Sequence, residues 1–187
     1  MFPAAALIAF AVAAAFAGPL AAHAQERESA AKLVARTMAN PEFRAKTFRG
    51  GEWLGSGDFY LDLEASATAG GTDIVRYQTA TGARDILVSA SRLIPAGEKA
   101  PLPIEDYAFS ADGRQLLVFT NSQTVWRQNT RGDYWVLDLK SGALRKLGGD
   151  ALASSLMFAK FSPDNTKVGY VRGNNVHVED LAHRATI

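Results

Sequence analysis

Two stretches of this chain repeat one another: Phe109-Ser-Ala-Asp-Gly-Arg-Gln-Leu-Leu-Val-Phe119 and Phe161-Ser-Pro-Asp-Asn-Thr-Lys-Val-Gly-Tyr-Val171, with starts 52 positions apart. Each reads as an aromatic strand end, a Ser-x-Asp-Gly/Asn turn and a second strand, because Asp and Gly or Asn favour turn geometry. A second pair follows a different template. Ile74-Val-Arg-Tyr-Gln-Thr-Ala-Thr-Gly82, ending at Leu87, matches Tyr134-Trp-Val-Leu-Asp-Leu-Lys-Ser-Gly142, ending at Leu147. In both, Gly falls in the turn and Leu five residues later closes the return strand. Val176 to Ile187 is a degraded third copy that aligns Asp180-Leu181 with Asp138-Leu139.

Self-similarity at such a period is the signature of propellers and solenoids. Each unit reads as two hairpins, hence four antiparallel strands in about 40 to 50 residues, the length of a propeller blade. The expected fold is therefore all-β: a partial β-propeller of about three four-stranded blades, near 41–90, 104–148 and 155–187. A β-sandwich is the alternative, since Asp-Gly turns occur in any all-β protein. The repetition of both hairpins favours the propeller. Ahead of the strands, Ala31, Val34 and Met38 have helical spacing with Leu33 beside them, and Asn40-Pro41 ends the pattern. One short helix is expected within residues 25–40.

The N-terminus bears on compartment. Ala4 to Ala17 is an apolar run, followed by Gly18-Pro19 and the small-residue triplet Ala22-His23-Ala24. This is the pattern of a secretory signal peptide spanning 1–24, too short for a membrane span of roughly 20 apolar residues. An uncleaved anchor is the alternative, because only the terminal amine supplies positive charge ahead of the run. A periplasmic or secreted location follows. Disulfides and thiolate metal sites are excluded by the lack of cysteine. A net charge of +1, with 20 basic and 19 acidic residues interspersed, gives no electrostatic footprint for nucleic acid.

Ile104-Glu-Asp-Tyr-Ala-Phe-Ser-Ala-Asp-Gly113, with Gln123-Thr-Val-Trp-Arg-Gln-Asn-Thr-Arg-Gly-Asp-Tyr-Trp-Val-Leu-Asp-Leu139, resembles the second blade of the dipeptidyl peptidase IV N-terminal propeller. Leu156 to Asp164 and Val168 to Leu181 resemble the third, and Phe48-Arg-Gly-Gly-Glu-Trp-Leu54 with the strands to Leu87 the first. The resemblance implies an eight-bladed propeller joined to a C-terminal α/β-hydrolase domain, acting on peptides with Pro or Ala second and releasing dipeptides. It also admits a homodimer of the parent. The Arg of Trp126-Arg127 is the one substrate-binding residue the resemblance carries over: Arg127 is expected to reach the active-site cavity and hydrogen-bond the substrate backbone.

The hydrolase domain is absent from this sequence, and no catalytic residue, metal ligand or cofactor site is expected. Gly55-Ser56-Gly57 has the wrong spacing for a nucleophile elbow. His177 and His183 read as strand histidines, Glu179-Asp180 as blade surface, and Trp53, Trp126 and Trp135 as blade packing. Asp58, Asp62 and Glu64 alternate along a strand pattern without the further ligands a calcium site needs. The chain alone is expected to be inactive. Three functions stay open: the propeller portion of a secreted serine exopeptidase, a non-catalytic periplasmic binding module, or a structural fragment.

Overall fold

The computed structural model describes residues 29–39, 51–55 and 57–182. The proposed leader, His183 and Phe48 to Gly50 lie outside them. The chain divides into two compact units, Met1–Thr47 and Phe48–Ile187. In the first, α1 spans Ala30–Ala39. Ser29 begins it by accepting the Lys32 amide on its hydroxyl at 3.3 Å and the Leu33 amide on its carbonyl at 2.9 Å. Leu33, Val34 and Met38 form an exposed apolar stripe along it.

The second unit is built of antiparallel strands. Blade one is a four-stranded sheet of β1 (Glu52–Leu54), β2 (Phe59–Ala65), β3 (Thr72–Gln78) and β4 (Arg84–Val88), paired in chain order. Blade two comprises β5 (Asp106–Phe109), β6 (Gln115–Val125), β7 (Gln128–Asp138) and β8 (Leu144–Lys146). Blade three contributes β9 (Leu156–Phe161), β10 (Lys167–Arg172) and β11 (Asn175–Asp180) among the described residues. The sequence expectation of an all-β partial propeller is met.

The repeated turns have the same bonding in both copies. In blade two, Gly113 donates to the Ser110 carbonyl at 2.8 Å and the Gln115 amide to the Ser110 hydroxyl at 2.9 Å, while that hydroxyl donates to Asp112 at 2.7 Å. In blade three the equivalents are Asn165 to the Ser162 carbonyl at 2.9 Å, Lys167 to the Ser162 hydroxyl at 3.0 Å, and Ser162 to Asp164 at 2.6 Å. Ser and Asp recur because each satisfies backbone donors that the turn would leave unpaired. The second hairpin also repeats: Gly82 donates to the Gln78 carbonyl and Gly142 to that of Asp138, both with left-handed φ.

Strand alternation builds the core. On β6, Leu116 and Val118 join a cluster with Leu61, Ile74, Val88 and Leu93 of blade one and the linker after it. Leu117 and Phe119, pointing the opposite way, join Leu156, Val168 and Tyr170 of blade three. Blade two is thus buried on both faces, which explains its long apolar run. Arg92, in the 3₁₀ turn Ala90–Leu93, ties the linker to blade two by donating to the Leu139 carbonyl at 2.6 Å.

Candidate functional site

β6 and β7 are 11 residues each, whereas the other strands are seven or fewer. Gln115 to Thr120 pairs with Asp133 to Asp138 as part of the blade; beyond it the hairpin continues as an arm. The register shifts between Thr120 and Gln123, where Asn121 adopts a left-handed φ of 49°. This bulge re-aims the hairpin.

Two carboxylates hold the root of the arm. Glu105, just before β5, accepts the Ser122 amide at 2.9 Å and also bonds the Ser122 hydroxyl. Asp133 accepts from the Asn121 side-chain amide at 2.8 Å, the Ser154 amide at 2.9 Å and the Lys146 ammonium at 3.0 Å. Burial pushes the Asp133 carboxyl up, but the bonds from Asn121, Ser154 and Lys146 outweigh it and hold the group below its ordinary value. Ser154 returns a hydrogen bond from its hydroxyl to the Asn121 carbonyl at 2.6 Å. Further out, Thr124 bonds Asn129 at 2.7 Å and Arg131 bonds Gln123 at 2.6 Å across the hairpin.

The arm also joins the blades. Arg131 and Gly132 pair with Met157 and Leu156, so β9 continues the sheet from β7. Gly132 is required there: a Cβ would meet Phe119 Cε2 at 2.4 Å and the Thr120 carbonyl oxygen at 2.8 Å.

Trp126 and Arg127 are the two-residue tip between paired Val125 and Gln128. Trp126 is 97% exposed and has φ 62°, a conformation that costs a bulky side chain energy. Arg127 is exposed, and its guanidinium makes no hydrogen bond or ion pair among the described residues. Its five donors point from an anchored support without a protein acceptor.

Other residues singled out in the sequence fall elsewhere. The expectation of blade packing fails for Trp126 and for Trp53, which is 62% exposed; Trp135 alone packs against the core between blades one and two. A hairpin tip has no neighbouring strand to cover it. Glu179 is not blade surface. It is 4% exposed, pairs with Arg145 at 3.2 Å and accepts the Gly148 amide at 3.0 Å, because strand alternation turns it toward blade two. His177 stacks on Tyr170 with centroids 5.6 Å apart. Asp58 precedes β2 rather than lying on it. Asp62 accepts the Leu63 amide, and Glu64 is bonded by Arg84 at 2.6 Å and by the Tyr77 hydroxyl. Gly55 and Gly57 belong to the β1–β2 connection, not to a strand-to-helix turn. Among the described residues no group of His, Cys, Asp or Glu is arranged to hold a metal.

Glu105, Asn121, Ser122 and Asp133 were not anticipated from the sequence. The Asn121-Ser122 pair interrupting an apolar strand was the available signal.

A blade buried on both faces and a row of hairpin-built sheets define a β-propeller protein. Residues 110–187 match the family described as "Dipeptidyl peptidase IV (DPP IV) N-terminal region". It is 30% identical over 95 residues to dipeptidyl peptidase 4 of Trichophyton rubrum, covering 51% of this chain and 12% of the relative. It is 29% identical over 102 residues to dipeptidyl aminopeptidase B of Saccharomyces cerevisiae, covering 54% and 12%. The crystal structure of Porphyromonas gingivalis dipeptidyl peptidase 4 superposes with a TM-score of 0.61 at 26% identity, covering 74% of this chain and 19% of that one. The matched region is thus a small part of these relatives' length.

Proposed function

We propose that this chain is the propeller portion of a secreted serine exopeptidase that releases Xaa-Pro and Xaa-Ala dipeptides, contributing scaffold and the surface that gates and contacts substrate. An α/β-hydrolase domain would supply the Ser, Asp and His of the reaction. The observation that supports this reading best is Arg127: a guanidinium without a protein partner, at the tip of an arm whose root is fixed by Glu105 and Asp133. A planar fork of donors suits a peptide carbonyl, and a rigid root limits the entropy lost on binding.

In an enzyme joining this propeller to its hydrolase domain, Arg127→Ala removes a charge-assisted hydrogen bond worth about 1.5–3 kcal/mol. kcat/KM for an Xaa-Pro substrate is expected to fall roughly 10- to 150-fold at unchanged melting temperature. Arg114→Ala serves as control, since its side chain is 82% exposed in a turn. Equal activity of Arg127→Ala and the parent overturns the assignment and leaves Arg127 a solvated hairpin residue.

The apolar run Ala4–Ala17 and the Ala22-His23-Ala24 triplet support export with cleavage after Ala24. Cell fractionation with intact-mass analysis is expected to find a mature chain beginning at Gln25. A full-length cytoplasmic product overturns that part of the proposal.

A further inference from the structure

The tip of the β6–β7 arm carries a residue whose conformation and exposure are both unfavourable. Trp126 is the first of the two residues linking paired Val125 and Gln128, and its φ is 62°. Two-residue hairpin loops place Gly, Asn or Asp in such a conformation, because a bulky side chain is crowded there. Among the described residues, left-handed φ elsewhere falls on glycines, on Asn121, Asn165 and Asn174, on Ser154 and on Phe158. Phe158 lies within β9, opposite an irregular stretch of β10. Trp126 has no such surroundings, being 97% exposed.

Glycine or asparagine would close this turn at lower cost and would not hold an indole in water. The fold of the blade gains nothing from Trp126, and strain held at an exposed position points to contact with a ligand. Its neighbour on the tip is Arg127, likewise exposed and without a hydrogen bond or ion pair among the described residues. Consecutive Cα atoms are about 3.8 Å apart, so a peptide seated on the guanidinium lies within reach of the indole. Glu105 and Asp133 fix the root of the arm that carries both, which limits the entropy lost when either one binds.

We propose, resting on the peptidase reading, that Trp126 is a specificity-determining residue: its indole covers the side chain of the substrate's first residue and so favours peptides that begin with a large apolar one. A peptide held by its backbone at Arg127 has two side chains near that contact, the variable first and the Pro or Ala second. Selecting Pro or Ala requires walls that limit size, which a lone ring on a hairpin tip does not provide. One-sided contact with a flat ring instead rewards apolar area in a graded way, which suits the variable position.

The test compares the enzyme joining this propeller to its hydrolase domain with its Trp126→Asn, Trp126→Gly and Trp126→Phe variants, on Leu-Pro and Gly-Pro chromogenic substrates. The readout is the ratio of kcat/KM for the two, because Gly-Pro has no first side chain for the indole to cover. Trp126→Asn and Trp126→Gly are expected to lower that ratio about tenfold through loss of Leu-Pro turnover, the scale of a lost apolar contact. Their melting temperature is expected to be unchanged or raised, since both residues suit the turn. Trp126→Phe, which keeps a ring, is expected to retain most of the ratio. An unchanged ratio overturns the proposal in either form: both rates intact, with Trp126 idle, or both reduced alike, as when the indole packs on the hydrolase domain or only positions Arg127. A parent that hydrolyses neither substrate instead sinks the peptidase reading and the role of Trp126 with it.

Discussion

At the scale of single residues, repeated chemistry marks repeated geometry. Asp164 accepts bonds from the Ser162 hydroxyl and from the Thr166 amide and hydroxyl, and these hold its carboxyl down to about 2. Asp112 in the matching turn is lowered as well, by Ser110 first and then by the Arg114 amide. The folded values lie below the unfolded one, so the charged form is favoured by folding. The contribution of each turn is fully present above about pH 4, the ordinary aspartate range, and is lost as pH falls through the folded value. A carboxyl chemical-shift titration is expected to give Asp164 a midpoint near 2, below the ordinary aspartate range. A midpoint near 4 would mean that the turn bonds do not persist in solution. Trp126 and Arg127 illustrate the opposite case. Neither is fixed by neighbours, and the left-handed Trp126 is tolerated because the strands on either side determine the hairpin closure.

Among the elements, the β6–β7 hairpin does two jobs with one pair of strands. Its inner half is core and its outer half is an arm. The switch occurs within a few residues, where Asn121 and Ser122 leave the ladder and Glu105 and Asp133 capture them. Gly132 lies opposite this bulge with no room for a side chain. Gly132→Ala must push on the Phe119 ring and on the Thr120 carbonyl, and backbone yields less readily than a flexible side chain. The expected cost is about 1–3 kcal/mol, typical of overpacking. A denaturant melt measures the loss, and amide exchange should quicken across 121–132 more than in blade one. An unchanged melt would show that the arm does not pack on Phe119 as described.

For the whole propeller unit, stability rests on burying both faces of each interior blade. Leu116 and Leu117 are adjacent on β6, exposed by 0% and 3%, and face different clusters. Leu116→Ala and Leu117→Ala are each expected to cost about 2–5 kcal/mol, the range for a truncated core leucine. Urea unfolding of the two variants measures it. A near-neutral effect of either substitution would mean that one face of blade two is not closed, as in a sheet with a single buried side. Between blades two and three the contact is more than apolar: the Arg145–Glu179 pair and the Ala111 amide bonded to Asn165 at 2.9 Å add directional ties. Arg145 is accordingly largely buried in this inter-blade pair.

The local periodicity of the sequence determined the blades, because turn chemistry and strand alternation act over a few residues and leave their marks in adjacent positions. Ser110-Ala-Asp-Gly113 and Ser162-Pro-Asp-Asn165 specify the same hairpin wherever they stand, and the Gly of Gly82 and Gly142 is demanded by the backbone itself. The substrate role proposed for Arg127 rests on resemblance to a family rather than on its own physics. What only the tertiary structure decided were the partners that sequence distance conceals. Glu105 is 17 residues from Ser122, Glu179 is 34 from Arg145, and Asp133 is 21 from Ser154. Whether a carboxylate ends as blade surface, as an inter-blade pair or as the anchor of an arm depends on which strand arrives opposite it. That is set by the stacking of blades, and no local pattern of residues encodes it.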